Sequence, residues 1–534
     1  VRNLPKTATP VDVRRAFEAL CTVTNVSVPI DSATGNPRGY AFVTFVAAEA
    51  ETVRDAMHGV QMGGRTIAVE LTSSDKPAPK LPPARTTMTP PRTNAERRPV
   101  QAPPRTNAAY IALNKRLGAC ETARDVLSLF EARGDDFNGV NLATSLHRVG
   151  VLSRSVDASS SSLLQKLVDA SAASITRDAD AWGSRELSSA CWGAAKNNFD
   201  APALYVAVAS AARRKIETFN AQALSNTVWA YAKADVAAPA LFEAVAAEAQ
   251  HKLSTFDAQA LANTVWAFSR AGHAALALFN AVARESASRA ELFNAQELAN
   301  TAWAFAAKAV EAPELFGAIA LAAPKKMGTF NSQNLSNIAW AFSTLCFEAP
   351  ALFHAVSVES AKKMNTFNAQ ELASLAWAYA ALDVAAPFLF AAVALEAPKK
   401  MASFKPQELA NIAWAFATAG VPAPVFFEAV AAEAVAKMGK FNAQNLANIS
   451  WAYAKAGVPA PELFEAIAYE APSQMHAFNS QALANIVWAF STNGVEAPDL
   501  FEAVAEEAPK MISTFNSQAL SNTVWAFATA GVEA

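Results

Sequence analysis

The sequence has few cysteines, few glycines and no long apolar run. Its four cysteines, Cys21, Cys120, Cys191 and Cys346, lack the paired spacing of a metal site. We therefore expect reduced, buried thiols of an intracellular compartment. No stretch of about 18 apolar residues runs without polar interruption, so no membrane-spanning helix is predicted.

Sequence motifs of common catalytic sites are missing as well. The chain has no Gly-rich phosphate loop and no HExxH, and its six histidines are scattered. We predict no metal, no cofactor and no enzymatic activity. An enzyme would require a catalytic domain beyond Ala534. The candidate functions therefore differ in the ligand rather than in a reaction.

Tryptophan is present at a fixed period. Ten tryptophans, each 37 residues from the next, mark the chain from its second third to its end: Trp192, Trp229, Trp266, Trp303, Trp340, Trp377, Trp414, Trp451, Trp488 and Trp525. Such a period without strand patterns predicts a solenoid whose repeats bury apolar surface against their neighbours. The fold prediction is mainly α, a right-handed superhelix of two-helix repeats behind a small α/β module.

Each repeat contains signals for two helices. In eight repeats Asn or Asp stands nine residues before the tryptophan, where it can cap the first turn of a helix. Gly420, Gly457 and Gly494 are typical of helix ends. The second helix is expected to begin near a proline such as Pro313 or Pro461, because the first helical position needs no N–H group.

Residues 1–74 differ from the repeats. The segment RGYAFVTF, from Arg38 to Phe45, matches the RNP1 pattern of the RNA recognition motif at all eight positions. VRNLP at the start, which includes Asn3, resembles the end of the RNP2 strand of that family. The resemblance implies that Tyr40 and Phe42 stack on RNA bases while Arg38 reaches phosphate. The alternative is a degenerate module whose sheet binds a protein.

Three further segments complete the predicted domain organisation. Residues 75–107 are rich in Pro and Arg and predict an extended cationic linker. Residues 108–200 contain decayed repeats, expected to cap the array, with His147 in place of a tryptophan and a Ser-rich loop over Ser153 to Ser162. Residues 201–534 form the array. Because the chain begins at Val1 and ends inside a repeat, we expect it to be part of a longer protein without its targeting peptide.

The pattern FNAQxLANxxWAFA followed by GVxAPxLFEAVAxEA resembles the octotricopeptide repeat and the 37-residue heptatricopeptide repeat. These are related to the FAST kinase-like proteins, many of which carry a C-terminal RAP domain. The resemblance implies an RNA-binding protein of the mitochondrion or chloroplast. It would bind single-stranded RNA, and possible partners include other organellar RNA-processing proteins. RNA processing, stability or translation would be affected.

Several positions of the repeat are predicted to lie on one helix face, opposite the core. The residues six before and four after the tryptophan vary between repeats, as base-reading positions would. The residue three before it is a nearly constant asparagine: Asn226, Asn263, Asn300, Asn337, Asn411, Asn448, Asn485 and Asn522, with Ser374 as the exception. These asparagines either bind RNA or form a hydrogen-bond ladder between repeats. An ordinary solvated face is the alternative for the variable positions.

A basic column recurs at the end of the other helix: Lys215, Lys252, Arg289, Lys326, Lys363, Lys400 and Lys437. It is a candidate stripe for RNA phosphates. Five of these residues follow a glutamate by four positions, so ion pairing within the helix is the alternative. Residues 201–534 carry 20 Lys and Arg against 27 Asp and Glu, which argues against unspecific polyanion binding. The alternative function is an armadillo-like scaffold that binds extended peptides.

Overall fold

The computed structural model describes residues 10–18, 23–27, 41–45, 53, 56–57, 60–62, 65–67, 69, 107–152 and 158–532. Residue contacts divide the chain into two units, residues 1–101 and 102–534. The predicted linker lies largely outside the described residues. The predicted domain boundaries stay predictions.

The described part of the first unit contains the helix Pro10–Glu18, further helical residues at Val53, Ala56 and Met57, and two short antiparallel ribbons. Val23–Ser27 pairs with Phe42–Phe45, and Gln61–Met62 pairs with Arg65–Thr66. A small core holds these elements together: Val13, Phe17, Ala41, Val53, Met57, Ile67 and Val69. The strand Phe42–Phe45 lies within the RGYAFVTF segment that matches the RNP1 pattern.

The second unit consists of helices. Four precede the regular array: Asn107–Ala119, Ala123–Arg133, Gly139–Leu152 and Ala158–Arg177. The helices that carry the periodic tryptophans, here called tryptophan helices, are Ser184–Lys196, Ala221–Lys233, Ala258–Arg270, Ala295–Ala307, Ser332–Thr344, Ala369–Ala381, Pro406–Thr418, Ala443–Ala456, Ser480–Thr492 and Ser517–Ala530.

Between them lie the partner helices: Pro202–Arg214, Pro239–Lys252, Leu276–Ser288, Pro313–Ala322, Pro350–Lys363, Pro387–Glu396, Pro424–Ala436, Pro461–Glu470 and Pro498–Glu507. Short 3₁₀ segments join each partner helix to the next tryptophan helix. Successive tryptophan helices pack against one another, and successive partner helices form a second layer with looser packing. The solenoid prediction is thereby confirmed.

Residues at the helix ends explain these helix bounds. Asn220 caps its helix, because its side chain accepts a hydrogen bond from the Ala223 N–H at 2.8 Å. Eight partner helices have proline in the first turn. Gly420 has φ +63°, and the Val421 N–H donates back to the Phe416 carbonyl at 3.1 Å, as in a Schellman ending.

Two predictions about local segments were wrong. The Ser-rich stretch begins a 20-residue helix at Ala158, so the extra length of this region is largely helical. Cys191 is buried, and burial raises the pKa of its thiol to about 12, but Cys346 is exposed and Cys120 half-buried. Cys21 lies outside the described residues. None of the helices in the described part is long and apolar enough to cross a membrane.

Candidate nucleic-acid interface

The tryptophan helices present one polar and aromatic stripe, called here the tryptophan face. In the nine tryptophan helices from Ala221 onwards it consists of the residues at relative positions −7, −3 and 0, which are glutamine, asparagine and tryptophan, for example Gln333, Asn337 and Trp340, with Ser374 as the one exception at −3. This spacing places the three side chains on one side of a helix. The glutamines are exposed, whereas the asparagines and all the tryptophans except Trp525 are half-buried.

Tryptophans of neighbouring repeats contact each other in four pairs, called here the tryptophan ladder: Trp192 with Trp229, Trp229 with Trp266, Trp303 with Trp340, and Trp414 with Trp451. The ring centroids of Trp192 and Trp229 are 6.2 Å apart, and those of Trp414 and Trp451 are 6.3 Å apart with the planes inclined by 28°. His147 begins the ladder, since its ring stacks on Trp192 at 5.0 Å. Desolvation, followed by the charges of Arg148 and Arg185, lowers the pKa of His147 and favours the neutral ring.

The asparagine amides have no partner within the protein. In the array the structure shows no side-chain hydrogen bond from any of the eight asparagines, although their polar atoms remain accessible to water. The ladder of hydrogen bonds between repeats that was one interpretation is therefore not formed. A half-buried amide that faces solvent without a partner retains its full capacity to bind a ligand.

The column six residues before the tryptophan has a different role from the one predicted. Asn334 and Asn445 are buried, and the Oδ1 atom of Asn334 accepts the Asn331 N–H at 3.3 Å. The Glu297 carboxylate accepts the Asn294 N–H in the same way, at 2.8 Å. These residues complete capping boxes, so their variation follows helix capping. The column four residues after the tryptophan is exposed in all but one repeat, Thr344 being half-buried.

The basic column connects neighbouring repeats. The Lys363 ammonium donates to the carbonyls of Gly328 and Phe330 at 2.8 and 2.7 Å, in the preceding repeat. It also pairs with Glu359 at 2.9 Å. Lys400 and Lys437 repeat the arrangement, with Glu396 and Glu433 as their acids.

The other members of the column make similar bonds. Lys215, Lys252 and Lys326 donate to two carbonyls each, and Arg289 donates to the Phe256 carbonyl. The predicted ion pairs with the preceding glutamates are confirmed at Lys252, Arg289, Lys363, Lys400 and Lys437. Contact of this column with RNA stays a prediction, and a lysine that already has three acceptors is a poor phosphate ligand.

The RNA-contacting positions of the first unit can be placed only in part. Phe42 begins a strand, between Ala41 and Val43, which pack on the core. Its side chain lies outside the described residues, as do Asn3, Arg38 and Tyr40. Their roles stay predictions.

Sequence reasoning also missed Gln474, which occupies the basic-column position and donates to the Phe441 carbonyl at 3.0 Å. The 37-residue period could have identified it, because Gln474 lies 37 residues after Lys437.

Comparison with known proteins agrees with this architecture. Residues 1–68 match the RNA recognition motif family, and residues 198–322 and 320–532, more than half of the chain, match the family described as RNA-editing substrate-binding complex 6 protein. A module of the first kind followed by helical repeats defines the class of RRM and helical-repeat RNA-binding proteins. The chain belongs to the RNA-editing substrate-binding complex 6 (RESC6) family.

Individual relatives match a short part of the chain. The chain is 37% identical over 81 residues to the serine/arginine-rich SC35-like splicing factor SCL30 of Arabidopsis thaliana, which is 15% of this chain and 31% of that protein. SCL28 of the same plant is 37% identical over 82 residues, 15% of this chain and 34% of that protein. The probable RNA-binding protein 19 of Homo sapiens is 37% identical over 70 residues, 13% of this chain and 7% of that protein. The match thus spans about a third of the length of the two plant proteins.

Among solved structures, a homology model of the full-length AP-3 complex in an intermediate open conformation is similar at a TM-score of 0.26 and 10% identity. The similarity covers 79% of this chain and 82% of that chain.

Proposed function

We propose that the chain binds single-stranded RNA through the tryptophan face and the first unit, and that it acts in organellar RNA processing. The row of unpartnered asparagine amides beside the tryptophan ladder carries the proposal. An asparagine amide combines a donor with an acceptor, as the edges of nucleobases do. Exposed glutamines extend the same polar surface.

The charge of the array favours recognition of bases over recognition of phosphates. Residues 201–534 contain seven more acidic than basic residues. The six lysines of the basic column donate to backbone carbonyls of the preceding repeat. The seventh member, Arg289, donates to such a carbonyl through one nitrogen. A neutral stripe of amides and indoles can bind bases without a large electrostatic attraction. We infer that affinity along the array depends more on sequence than on salt.

The cellular setting is the finer part of the proposal. The repeats resemble octotricopeptide and heptatricopeptide repeats and the FAST kinase-like proteins, which implies a mitochondrion or a chloroplast. Membership in the family of RNA-editing substrate-binding complex 6 proteins supports RNA processing together with other proteins. In the first unit, Arg38, Tyr40, Phe42 and Asn3 are the proposed RNA contacts.

The test replaces Asn300, Asn337 and Asn411 by alanine in a chain that also carries Tyr40→Ala and Phe42→Ala. Tyr40→Ala and Phe42→Ala remove the aromatic side chains expected to stack on RNA bases in the first unit, and the loss of each should weaken RNA binding by about 1 to 3 kcal/mol. Loss of each asparagine should then weaken RNA binding about fivefold, for one hydrogen bond of about 1 kcal/mol. The melting temperature should not fall, because these amides bind nothing in the protein and alanine has the higher helix propensity.

A gain-of-function variant provides the matched control. Ser374 interrupts the asparagine column, so Ser374→Asn should strengthen binding of a random-sequence single-stranded RNA pool. Unchanged affinity in both variants would favour the alternative, an armadillo-like scaffold. The same observation supports that alternative, because a row of free asparagine amides can also bind the main chain of an extended peptide.

A further inference from the structure

The partner helices carry an exposed apolar patch on the side away from the core. Positions 1, 4, 8 and 12 after the first residue of each partner helix share this side. Six exposed apolar side chains lie on this side in five successive repeats, and together they are called here the apolar patch. Their exposed fractions are Leu321 71%, Val358 43%, Phe388 87%, Leu395 73%, Val425 71% and Tyr469 88%. A contiguous exposed patch of this kind is typical of a protein contact.

Charges of opposite sign accompany the two halves of the patch. Lys325, Lys362 and Lys399 lie in its N-terminal half, with side chains 63%, 66% and 66% exposed. Each has one carboxylate partner, Glu291, Glu359 or Glu396, which leaves donors free on the ammonium group.

Acidic residues occupy the same side towards the C-terminus. Glu428, Glu465 and Glu502 stand at the fourth position of three successive partner helices and are exposed. In the described residues of the array, none of the three forms an ion pair. The apolar side chains are therefore accompanied by three lysines in the N-terminal half of the patch and three glutamates in the C-terminal half, with Glu314 and Lys510 as exceptions of opposite sign.

We propose that a second copy of this chain binds the apolar patch in antiparallel orientation, with the two-fold axis between Pro387–Glu396 and Pro424–Ala436. A two-fold contact requires that each end of the patch meets the opposite end of the other copy. The lysines of one copy then face the glutamates of the other, twice, around the apolar centre. A parallel pair would bring lysine against lysine. The dimer leaves the tryptophan face open and does not rest on the proposed function.

The mass of the full chain in solution tests the contact. Light scattering after size exclusion should give twice the 56.4 kDa of one chain for the wild type. Val425→Asp should halve this mass. Val206→Asp is the matched control, because Val206 is also 71% exposed but lies on the first partner helix, outside the patch. Circular dichroism should show both variants folded. A wild-type chain with the mass of one copy at every soluble concentration overturns the proposal.

Charge reversal tests the antiparallel orientation. One variant combines Lys325→Glu, Lys362→Glu and Lys399→Glu, and the other combines Glu428→Lys, Glu465→Lys and Glu502→Lys. Each alone should have the mass of one copy, since like charges then meet at both ends. An equimolar mixture should recover the double mass, because each reversed end finds its complement. Failure of the mixture to recover it, with both variants folded, rules out the antiparallel contact.

Discussion

At the residue scale, one position per repeat joins each repeat to the one before it. In six repeats a lysine donates to backbone carbonyls of the preceding repeat, and in one an arginine does. Gln474 makes the same carbonyl contact with an amide and also donates to Glu470 at 2.9 Å. These carbonyls lie in or at the ends of 3₁₀ segments, and without the column they would depend on water for a hydrogen-bond donor. The column therefore stabilises the stacking of repeats.

Lys363→Met should destabilise the array by about 1 to 2 kcal/mol, for the lost charged hydrogen bonds, while Lys363→Gln should retain most of the stability. The Lys363 ammonium, with Lys362 beside it, holds the pKa of Glu359 below its ordinary value of 4.5. The pair consequently stabilises the folded state above that pH, and its contribution is lost as the pH falls through the lowered pKa. Denaturant unfolding of the full chain at neutral and acid pH measures both effects.

The same column has a predicted role in RNA binding that salt dependence can separate from stability. In a folded chain with Lys326→Ala, Lys363→Ala and Lys400→Ala, we expect the slope of log affinity against log salt to stay constant. Direct phosphate contacts would instead make the slope shallower by about 0.7 for each lysine lost. That outcome would show that the lysines exchange their carbonyl partners for phosphate.

The helix-ending position six residues after each tryptophan requires a left-handed backbone. Gly420, Gly457 and Gly494 adopt it without strain, but Ala309 and Cys346 adopt it with φ of +50° and +51°. A residue with a Cβ atom destabilises the folded state by about 1 to 2 kcal/mol in this conformation. Glycine avoids this strain, but part of its advantage is offset because it loses more conformational entropy on folding.

Ala309→Gly should therefore raise the free energy of unfolding by up to about 1 kcal/mol, and Gly420→Ala should lower it by a similar amount. The control is Ala307→Gly, two residues earlier in helical backbone, which should destabilise by about 1 kcal/mol. Thermal unfolding of the three variants gives the comparison. Equal effects of glycine at residues 307 and 309 would contradict the role assigned to backbone strain.

At the scale of elements, the capping region crosses the first tryptophan helix unusually closely. Gly150 and Gly193 face each other, and a Cβ atom on Gly193 would lie 2.3 Å from the Leu146 carbonyl oxygen. The nine following repeats have alanine at this position, from Ala230 to Ala526. The glycine thus permits a closer helix pair than in those repeats.

Gly193→Ala should destabilise the capping region by about 1 to 3 kcal/mol, since the backbone has to move to admit the methyl group. Gly317→Ala is the control, because Gly317 lies inside a helix with no atom within 4 Å of the added methyl group. It should stabilise by about 1 kcal/mol through helix propensity. Hydrogen exchange of Gly139–Leu152 locates the effect, and equal protection in both variants would contradict the close crossing.

Features of the elements that arise locally could be predicted from the sequence, and those that require the stack could not. Asn220, Pro313 and Gly420 act on their own helix turn, so the helix bounds followed from residue type and spacing. The carbonyl partners of Lys363 lie 33 and 35 residues away and exist only after two repeats have packed. Asn334 was misassigned to a binding face because polar character alone does not distinguish a capping residue from a ligand-binding one.

At the scale of the whole molecule, the array separates two kinds of surface. The tryptophan helices present amides and indoles, and the partner helices present the apolar patch with its charged ends. Because each repeat contributes to both layers, ligand binding on one layer and self-association on the other can vary independently. The main helix contacts run between successive repeats, so stability is expected to be a sum of neighbour terms.

Deletion of residues 220–293, two repeats in register, should leave a shorter but folded array. Phe219 then precedes Asn294, and Lys326 would meet the carbonyls of Glu217 and Phe219, which Lys252 binds in the intact chain. Helical content per residue by circular dichroism should be unchanged, and the apolar patch is retained. Deletion of residues 220–237 alone, one tryptophan helix without its partner helix, is the control. It should unfold or aggregate, because two partner helices would then follow each other without a tryptophan helix between them. If both deletions unfold alike, the repeats do not act as units that interact only with their neighbours.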